Sequence, residues 1–228
     1  MENKLGVWDL IATNKFEEAC LQADMDYKAN ENIFTLRNKV YALFHLKKYV
    51  EAAELISYIR EMTKNQTDSD AIFLGIAYWF LNEKEKSVKI WKEGIGSKYT
   101  DAAGGVELQI ILYFSSISLQ DIKLKEQSAK AIQKIVKAKR AVNWPGPLGA
   151  YVVGRISEEE LFSKVSTIDF LKERNLSQAH FVKAVRCLEL GEIKPYESEL
   201  RKSVDIGPRS YVEQMYYLAE AELGSFLR

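Results

Sequence analysis

The sequence predicts an all-α fold, a solenoid of antiparallel helix hairpins within one domain. Apolar residues recur at helical spacing, as in the stripe Leu36, Val40, Leu43 and Phe44. The apolar segments run about 12 to 16 residues, the usual length of a globular helix. Short breaks separate these segments, among them Lys47-Lys48, Asn82-Glu83, Gln120-Asp121 and Leu190-Gly191. Breaks this short favour antiparallel neighbours. No sustained apolar–polar alternation indicates strands.

A related segment opens the second helix of successive hairpins at nearly constant spacing. Residues 15–19 (KFEEA) recur as residues 48–52 (KYVEA), 33 positions later. Residues 83–87 (EKEKS) follow 35 positions after that. Each segment ends on a small residue, where two helices must approach closely. A constant period of this size predicts a repeat architecture.

The third unit has the fullest set of packing residues. Leu74, Gly75 and Tyr78 lie on its first helix, and Ser87 and Trp91 lie on its second. Gly75 and Ser87 are small, so we expect the two backbones to cross closely there, with Tyr78 and Trp91 filling the gaps. The large–small–aromatic order and the spacing resemble the tetratricopeptide repeat (TPR) family. That resemblance implies a right-handed superhelical solenoid.

The other segments follow this pattern less regularly. Leu200, Ser203 and Pro208 fall at matching offsets in a fourth unit. The last helix, over residues 211–223 and ending at Gly224, is predicted to cover the terminal repeat, because solenoids need caps. The predicted order within the single domain 1–228 is repeats at about 1–31, 33–66 and 68–100, an irregular pair at 104–142, a connector at 143–175, a repeat at 177–208 and a capping helix at 210–224.

The predicted connector opens with a turn rich in proline and glycine at residues 143–147 (NWPGP). A short helix is predicted over residues 148–153, ending at Gly154. The next helix is predicted to start at Ser157, because residues 157–160 (SEEE) have the pattern of a capping box.

The residues around this connector resemble a bacterial subtype of TPR protein. Trp144-Pro145, residues 151–161 (YVVGRISEEEL), residues 177–181 (SQAHF) and Leu190-Gly191 are similar to the C-terminal half of new lipoprotein I–type TPR proteins. The resemblance implies an all-α scaffold that binds other proteins, such as a protease adaptor, without catalysis of its own. The lipoprotein signal and lipidated cysteine of that family are not found in this sequence.

The composition argues against an enzyme, a metalloprotein and a membrane protein. The 228 residues hold 32 basic and 32 acidic side chains, two cysteines and two histidines. The longest apolar run, residues 71–81, is too short to span a bilayer. No nucleophile elbow, CxxC pair or HExxH motif occurs. We therefore expect a cytoplasmic protein with no cofactor, no metal, no catalytic residues and no membrane partner.

The balanced charge is unevenly distributed along the chain. Residues 123–140 hold seven basic residues against one acid, and Lys130, Lys134 and Lys137 are predicted to share one helix face. This stretch is interpreted as a solvated outer face, a contact surface for an acidic partner or, less favoured, a nucleic-acid contact. Residues 187–222 hold eight acids against four basic residues, and the start of the chain is acidic too, with Asp9, Glu17, Glu18, Asp24 and Asp26. Two acidic ends around a basic middle favour electrostatic steering of a partner.

Candidate partner-binding residues follow from these two features. A TPR superhelix exposes a concave groove formed mainly by first helices. First-helix positions not consumed by packing are groove candidates, and the lysines of the basic stretch are candidates on the outer side. The candidates are Arg37, Asn38, Tyr41, Asp70, Phe73, Lys130, Lys134, Lys137, Lys183 and Arg186.

The function predicted from these features is non-enzymatic binding of another protein in the bacterial cytoplasm. One such role is that of an immunity protein, which binds and neutralises a cognate toxin. Many toxins that degrade nucleic acid are basic, so the acidic ends of the chain are candidates for blocking such a site. The alternatives are a protease or chaperone adaptor and, less favoured, a nucleic-acid-binding regulator that uses the 123–140 helix.

Overall fold

The structure, a computed structural model, describes residues 5–226. Residues 1–4 of the predicted first repeat and the last two residues of the chain lie outside this range. Within it the chain is all-α, as predicted, and the only β feature is an isolated bridge between Thr67 and Tyr99. The helices are α1 Val7–Ala12, α2 Phe16–Asn30, α3 Ile33–His45, α4 Tyr49–Met62, α5 Asp68–Phe80, α6 Lys84–Glu93, α7 Val106–Ser118, α8 Ile122–Ile135, α9 Gly146–Val152, α10 Glu158–Ser163, α11 Asp169–Glu189, α12 Ile193–Val204 and α13 Gln214–Phe226.

The helices pack as successive hairpins joined by turns of one kind. Helices α1 and α2, α3 and α4, α5 and α6, α7 and α8, and α11 and α12 form the pairs. The residue that breaks the helix is left-handed in each turn: φ is 59° at Asn14, 58° at Lys47, 61° at Asn82, 56° at Gln120 and 74° at Gly191. The next amide then donates back to a carbonyl five residues earlier, which satisfies a helix-end acceptor. The breaks predicted at these positions are confirmed.

Close helix crossings occur where the sequence has small residues. Ala19, Ala52 and Ser87 have no exposed surface. Gly75 lies directly against the indole of Trp91, and a Cβ added at Gly75 would come within 2.1 Å of the Trp91 Nε1. The expectation that a small residue allows this crossing is confirmed.

The middle of the chain differs from the prediction at one boundary. The predicted capping box is present, because the Glu160 amide donates to the Ser157 Oγ and the Ser157 amide donates to the Glu160 carboxylate. The short helix α9 ends just before Gly154, as expected. Helix α11, however, begins at Asp169, inside the segment predicted as connector, and is 21 residues long.

The C-terminal helix α13 does more than cover the last repeat. It packs on α11 and α12, as predicted, and also on α5 in the first half of the chain. The Tyr217 ring lies 4.8 Å from the Phe44 ring and 6.0 Å from the Phe73 ring, centroid to centroid. The predicted stop at Gly224 is wrong, because α13 continues to Phe226. This helix brings the two ends of the chain together.

Candidate functional site

Two groove candidates satisfy each other. Arg37 donates from Nε to Asp70 Oδ1 at 2.8 Å and from Nη2 to Asp70 Oδ2 at 2.7 Å. Asp70 is buried, and its hydrogen bond to Arg37 raises the pKa of the guanidinium. The pair joins the first helices of two repeats, α3 and α5, as a bidentate contact. These residues hold the repeats together, and neither one has a free charge to offer a partner.

The aromatic groove candidates lie in the interior. Phe73 is 6% exposed, and the Tyr41 ring contacts those of Phe73 and Tyr217, with centroid distances of 5.3 and 6.4 Å. Burial raises the pKa of Tyr41 to about 12. The expectation that Tyr41 and Phe73 face an open groove is wrong, because α13 covers them.

A small cavity remains beside these residues. It has a volume of about 20 Å³ and is lined by Arg37, Tyr41, Asp70 and Phe73 among others. That space holds about one water molecule and no peptide. Asn38 is half-buried on the same helix. The predicted groove therefore has no room for a peptide beside these residues.

The two candidates on α11 also have partners within the chain. Lys183 Nζ lies 2.5 Å from the Glu158 carboxylate and 3.4 Å from that of Glu199. Arg186 donates from Nη1 to Glu189 at 2.5 Å. Both side chains are only partly exposed. They hold the connector and the last repeat in place.

The three lysine candidates of α8 and its end are exposed. Lys130 and Lys134 lie one turn apart on the helix. Helix α8 ends at Ile135, so Lys137 lies in the following turn and Arg140 in a short 3-10 helix. The prediction that Lys137 shares a helix face with Lys130 and Lys134 is therefore wrong, although all three belong to one stretch of chain.

We call the exposed cations of this stretch the basic surface. None of them has a carboxylate within ion-pair distance among residues 5–226, whereas Lys125 in the same stretch pairs with Glu189 at 2.9 Å. Exposed apolar side chains lie at its two ends: Ile122 is 74% exposed and Val142 is 65% exposed. The basic surface consists of Lys123, Lys130, Lys134, Lys137, Lys139 and Arg140.

Five of the eight carboxylates in the acidic C-terminal stretch bind groups within the chain, whereas Glu192 and Asp205 are exposed and form no ion pair among residues 5–226. The Glu199 carboxylate is hydrogen-bonded to His180 at 2.7 Å and to Lys202 at 2.7 Å. Burial alone would raise the pKa of Glu199, but these hydrogen bonds outweigh it and lower that pKa. Both oxygens of Glu222 accept hydrogen bonds, from Trp79 and Tyr196. Glu199 and Glu222 are therefore not available to a basic toxin, and the prediction that the acidic ends block one rests on the exposed acids alone.

A buried polar network, not predicted from the sequence, links α7, α11 and α13. Gln178 donates to Glu107 at 2.7 Å and to Glu213 at 2.6 Å, and its carbonyl oxygen accepts from the Trp144 indole at 2.6 Å. Arg174 also bonds to Glu213. Burial raises the pKa of Glu107 and of Glu213, and the charge of Glu213 adds to the effect on Glu107. The network fixes the start of α13.

No protein-family model matches this chain, and no curated protein matches it either. From residue 5 to residue 226, no helix combines the length and apolar character needed to cross a membrane. Over the same range, no three His, Cys, Asp or Glu side chains are grouped as they would be around a metal ion.

Proposed function

We propose that this chain is a non-enzymatic TPR-type protein of the bacterial cytoplasm that binds an acidic protein through its basic surface. The observation that carries the proposal is the set of six exposed, unpaired cations on one stretch of chain. Other charged candidates, such as Arg37, Asp70 and Lys183, are bound within the fold. Cations without internal partners keep their charge available for steering and docking.

Two features of the basic surface favour a protein over a nucleic acid. Residues 122–142 contain no aromatic side chain on which a base could stack. The exposed side chains of Ile122 and Val142 add apolar contact area at its ends. Protein interfaces combine apolar contacts with polar and charged groups at the rim.

Within this class we propose the role of a dedicated inhibitor, such as an immunity protein that neutralises a toxin. A concentrated charge surface speeds association with a complementary target, which suits an inhibitor that must act before its target does. Because the basic surface carries unpaired cations, the target is expected to dock through its own acidic groups.

The experiment begins with a pull-down on the full chain from its own organism, with the partner identified by mass and then purified. Binding is measured by titration calorimetry at several salt concentrations, with wild type and two double variants. Lys130→Glu with Lys134→Glu reverses two charges of the basic surface. Lys28→Glu with Lys194→Glu is the matched control, because these lysines are exposed on α2 and α12 and lie outside that surface.

We expect the Lys130/Lys134 variant to weaken binding at least about tenfold, and the control by less than about twofold. Affinity should fall as salt rises, because exposed charges are screened. Equal effects of the two variants, or salt-independent binding, would contradict the proposal. Recovery of RNA or DNA that binds the purified chain directly would replace it with the nucleic-acid alternative. Recovery of a protease or chaperone would keep protein binding and replace the inhibitor role.

A further inference from the structure

A second feature, independent of the basic surface, is an open cavity between α13 and the first repeats. It has a volume of about 480 Å³, within the range of small-molecule sites. Its lining comes from the turn after α3, the end of α5, the start of α6 and the second half of α13. We call it the aromatic pocket and define it by Lys47, Tyr49, Phe80, Trp79, Lys84 and Glu220.

One wall of the aromatic pocket is apolar and flat. The rings of Tyr49 and Phe80 are stacked, with centroids 4.2 Å apart and planes 6° from parallel. Trp79 lies beside them, and its indole is held in place because Nε1 donates to Glu222 at 2.8 Å. A wall of this kind contacts an apolar side chain well.

The rest of the lining carries charges of both signs that form no ion pair with each other. The Glu220 Oε2 atom is enclosed and has no hydrogen-bond donor within residues 5–226. Lys47 is near enough to lower the pKa of Glu220, yet burial dominates and raises that pKa to about 7. Neither Lys47 nor Lys84 forms an ion pair with any described carboxylate, and the Lys84 Nζ rests 4.7 Å from the centre of the Trp79 ring.

An enclosed carboxylate oxygen without a donor is costly and rare in folded proteins. The adjacent Glu222 shows the usual outcome, since both of its oxygens accept hydrogen bonds. Glu220 lines the cavity and is partly exposed, so a rotation of its side chain would bring Oε2 to the cavity, where the ammonium group of a ligand would supply the missing donor. If the ligand also carries a carboxylate, that group can pair with Lys47 and Lys84. Such a ligand has no net charge, so it adds none to the pocket.

We propose that the aromatic pocket binds a free α-amino acid with an apolar side chain. The ammonium group would lie at Glu220, the carboxylate at Lys47 and Lys84, and the side chain against Tyr49 and Phe80. A single ligand of this class matches the apolar wall, the enclosed acid and the unpaired lysines together.

The test uses three probes that differ by one charged group each. L-phenylalanine carries both charges, 2-phenylethylamine lacks the carboxylate, and 3-phenylpropanoate lacks the ammonium group. Binding to the full chain is followed by titration calorimetry and by tryptophan fluorescence, to which Trp79 in the wall contributes together with the three other tryptophans. We expect L-phenylalanine to bind at least about tenfold more tightly than either analogue.

Two variants locate the site, and one controls for the loss of charge. Glu220→Gln and Lys84→Met should each weaken L-phenylalanine binding about tenfold, whereas Glu54→Gln, at an exposed position on α4, should leave it within about twofold. If Glu220→Gln does not fold, Lys84→Met decides the matter alone. The proposal is overturned if no amino acid binds at about 10 mM, if the three probes bind equally, or if neither pocket variant changes the affinity.

Discussion

Gly75→Ala should destabilise the protein strongly, although alanine is the better helix former. The new Cβ would lie 2.1 Å from Nε1, 2.5 Å from Cε2 and 2.6 Å from Cδ1 of Trp91. Ordinary contacts begin near 3.4 Å, so the indole would have to move by more than 1 Å. Trp91 has no exposed surface, and its Nε1 donates to the Ile72 carbonyl at 3.0 Å, so there is no free space for that movement.

The expected cost follows from three terms. Overpacking a filled interior costs about 1–3 kcal/mol. Loss of the buried Trp91–Ile72 hydrogen bond costs about 1–3 kcal/mol. The helix propensity of alanine returns about 1 kcal/mol. We therefore expect a net loss of about 3 kcal/mol, a large part of the 5–15 kcal/mol typical of a folded domain.

Urea unfolding followed by circular dichroism measures this difference, provided that the slope with denaturant stays constant. Gly224→Ala is the matched control, because Gly224 lies within α13 and nothing approaches its Cβ position within 4 Å. That substitution should be neutral or stabilise by up to about 1 kcal/mol. A second check is Trp91→Leu, in whose background Gly75→Ala should cost less than about 1 kcal/mol. If the free energy of unfolding of Gly75→Ala lies within about 0.5 kcal/mol of the wild-type value, the close crossing of α5 and α6 is refuted.

Three further predictions test the turns, the buried acids and the C-terminal helix. Gln120 and Gly191 both have a left-handed backbone, which glycine adopts more easily than other residues. In urea unfolding, Gln120→Gly should therefore stabilise the protein by up to about 1 kcal/mol, and Gly191→Ala should destabilise it by a similar amount. Changes in the free energy of unfolding with the same sign for both variants would contradict this. Burial, with the charge of Asp101, raises the pKa of Asp68 from 3.8 to about 7, so its penalty grows as pH rises from about 4 to 7 and is full above 7. Asp68→Asn should then stabilise by up to roughly 4 kcal/mol at pH 8 and by almost nothing near pH 4, and a gain independent of pH would count against it. Tyr217→Ala should cost about 3–5 kcal/mol and raise protease cleavage within α13, whereas an unchanged cleavage pattern would show that α13 does not depend on this ring.

The sequence predicted local features of this fold well and long-range ones poorly. The turns at Lys47 and Asn82 and the crossing at Gly75 follow from neighbouring residues, so periodicity and residue size were sufficient. The docking of Tyr217 on Phe73 joins residues from different halves of the chain, which no local pattern records. For that reason the sequence predicts Phe73 as a groove residue, although the fold buries it.

The same reason explains the errors in the candidate site. Counting acids along residues 187–222 cannot show that Glu199 and Glu222 find partners on other helices. The basic stretch was visible because its lysines outnumber the acids in their own neighbourhood. In contrast, the absence of ion pairs at these lysines depends on which helices pack nearby, and only the structure shows it.

The docking of α13 on α5 sets an order in time for making this protein. Trp79 and its hydrogen-bond partner Glu222 are 143 residues apart. At roughly 5–20 residues per second, the ribosome adds the second about 7–30 s after the first. During that interval the apolar faces of α3 and α5 are uncovered, and they are then exposed to chaperones and to other nascent chains. An array that contacts only neighbours could fold repeat by repeat, whereas this chain completes its interior only when its last helix has been synthesised.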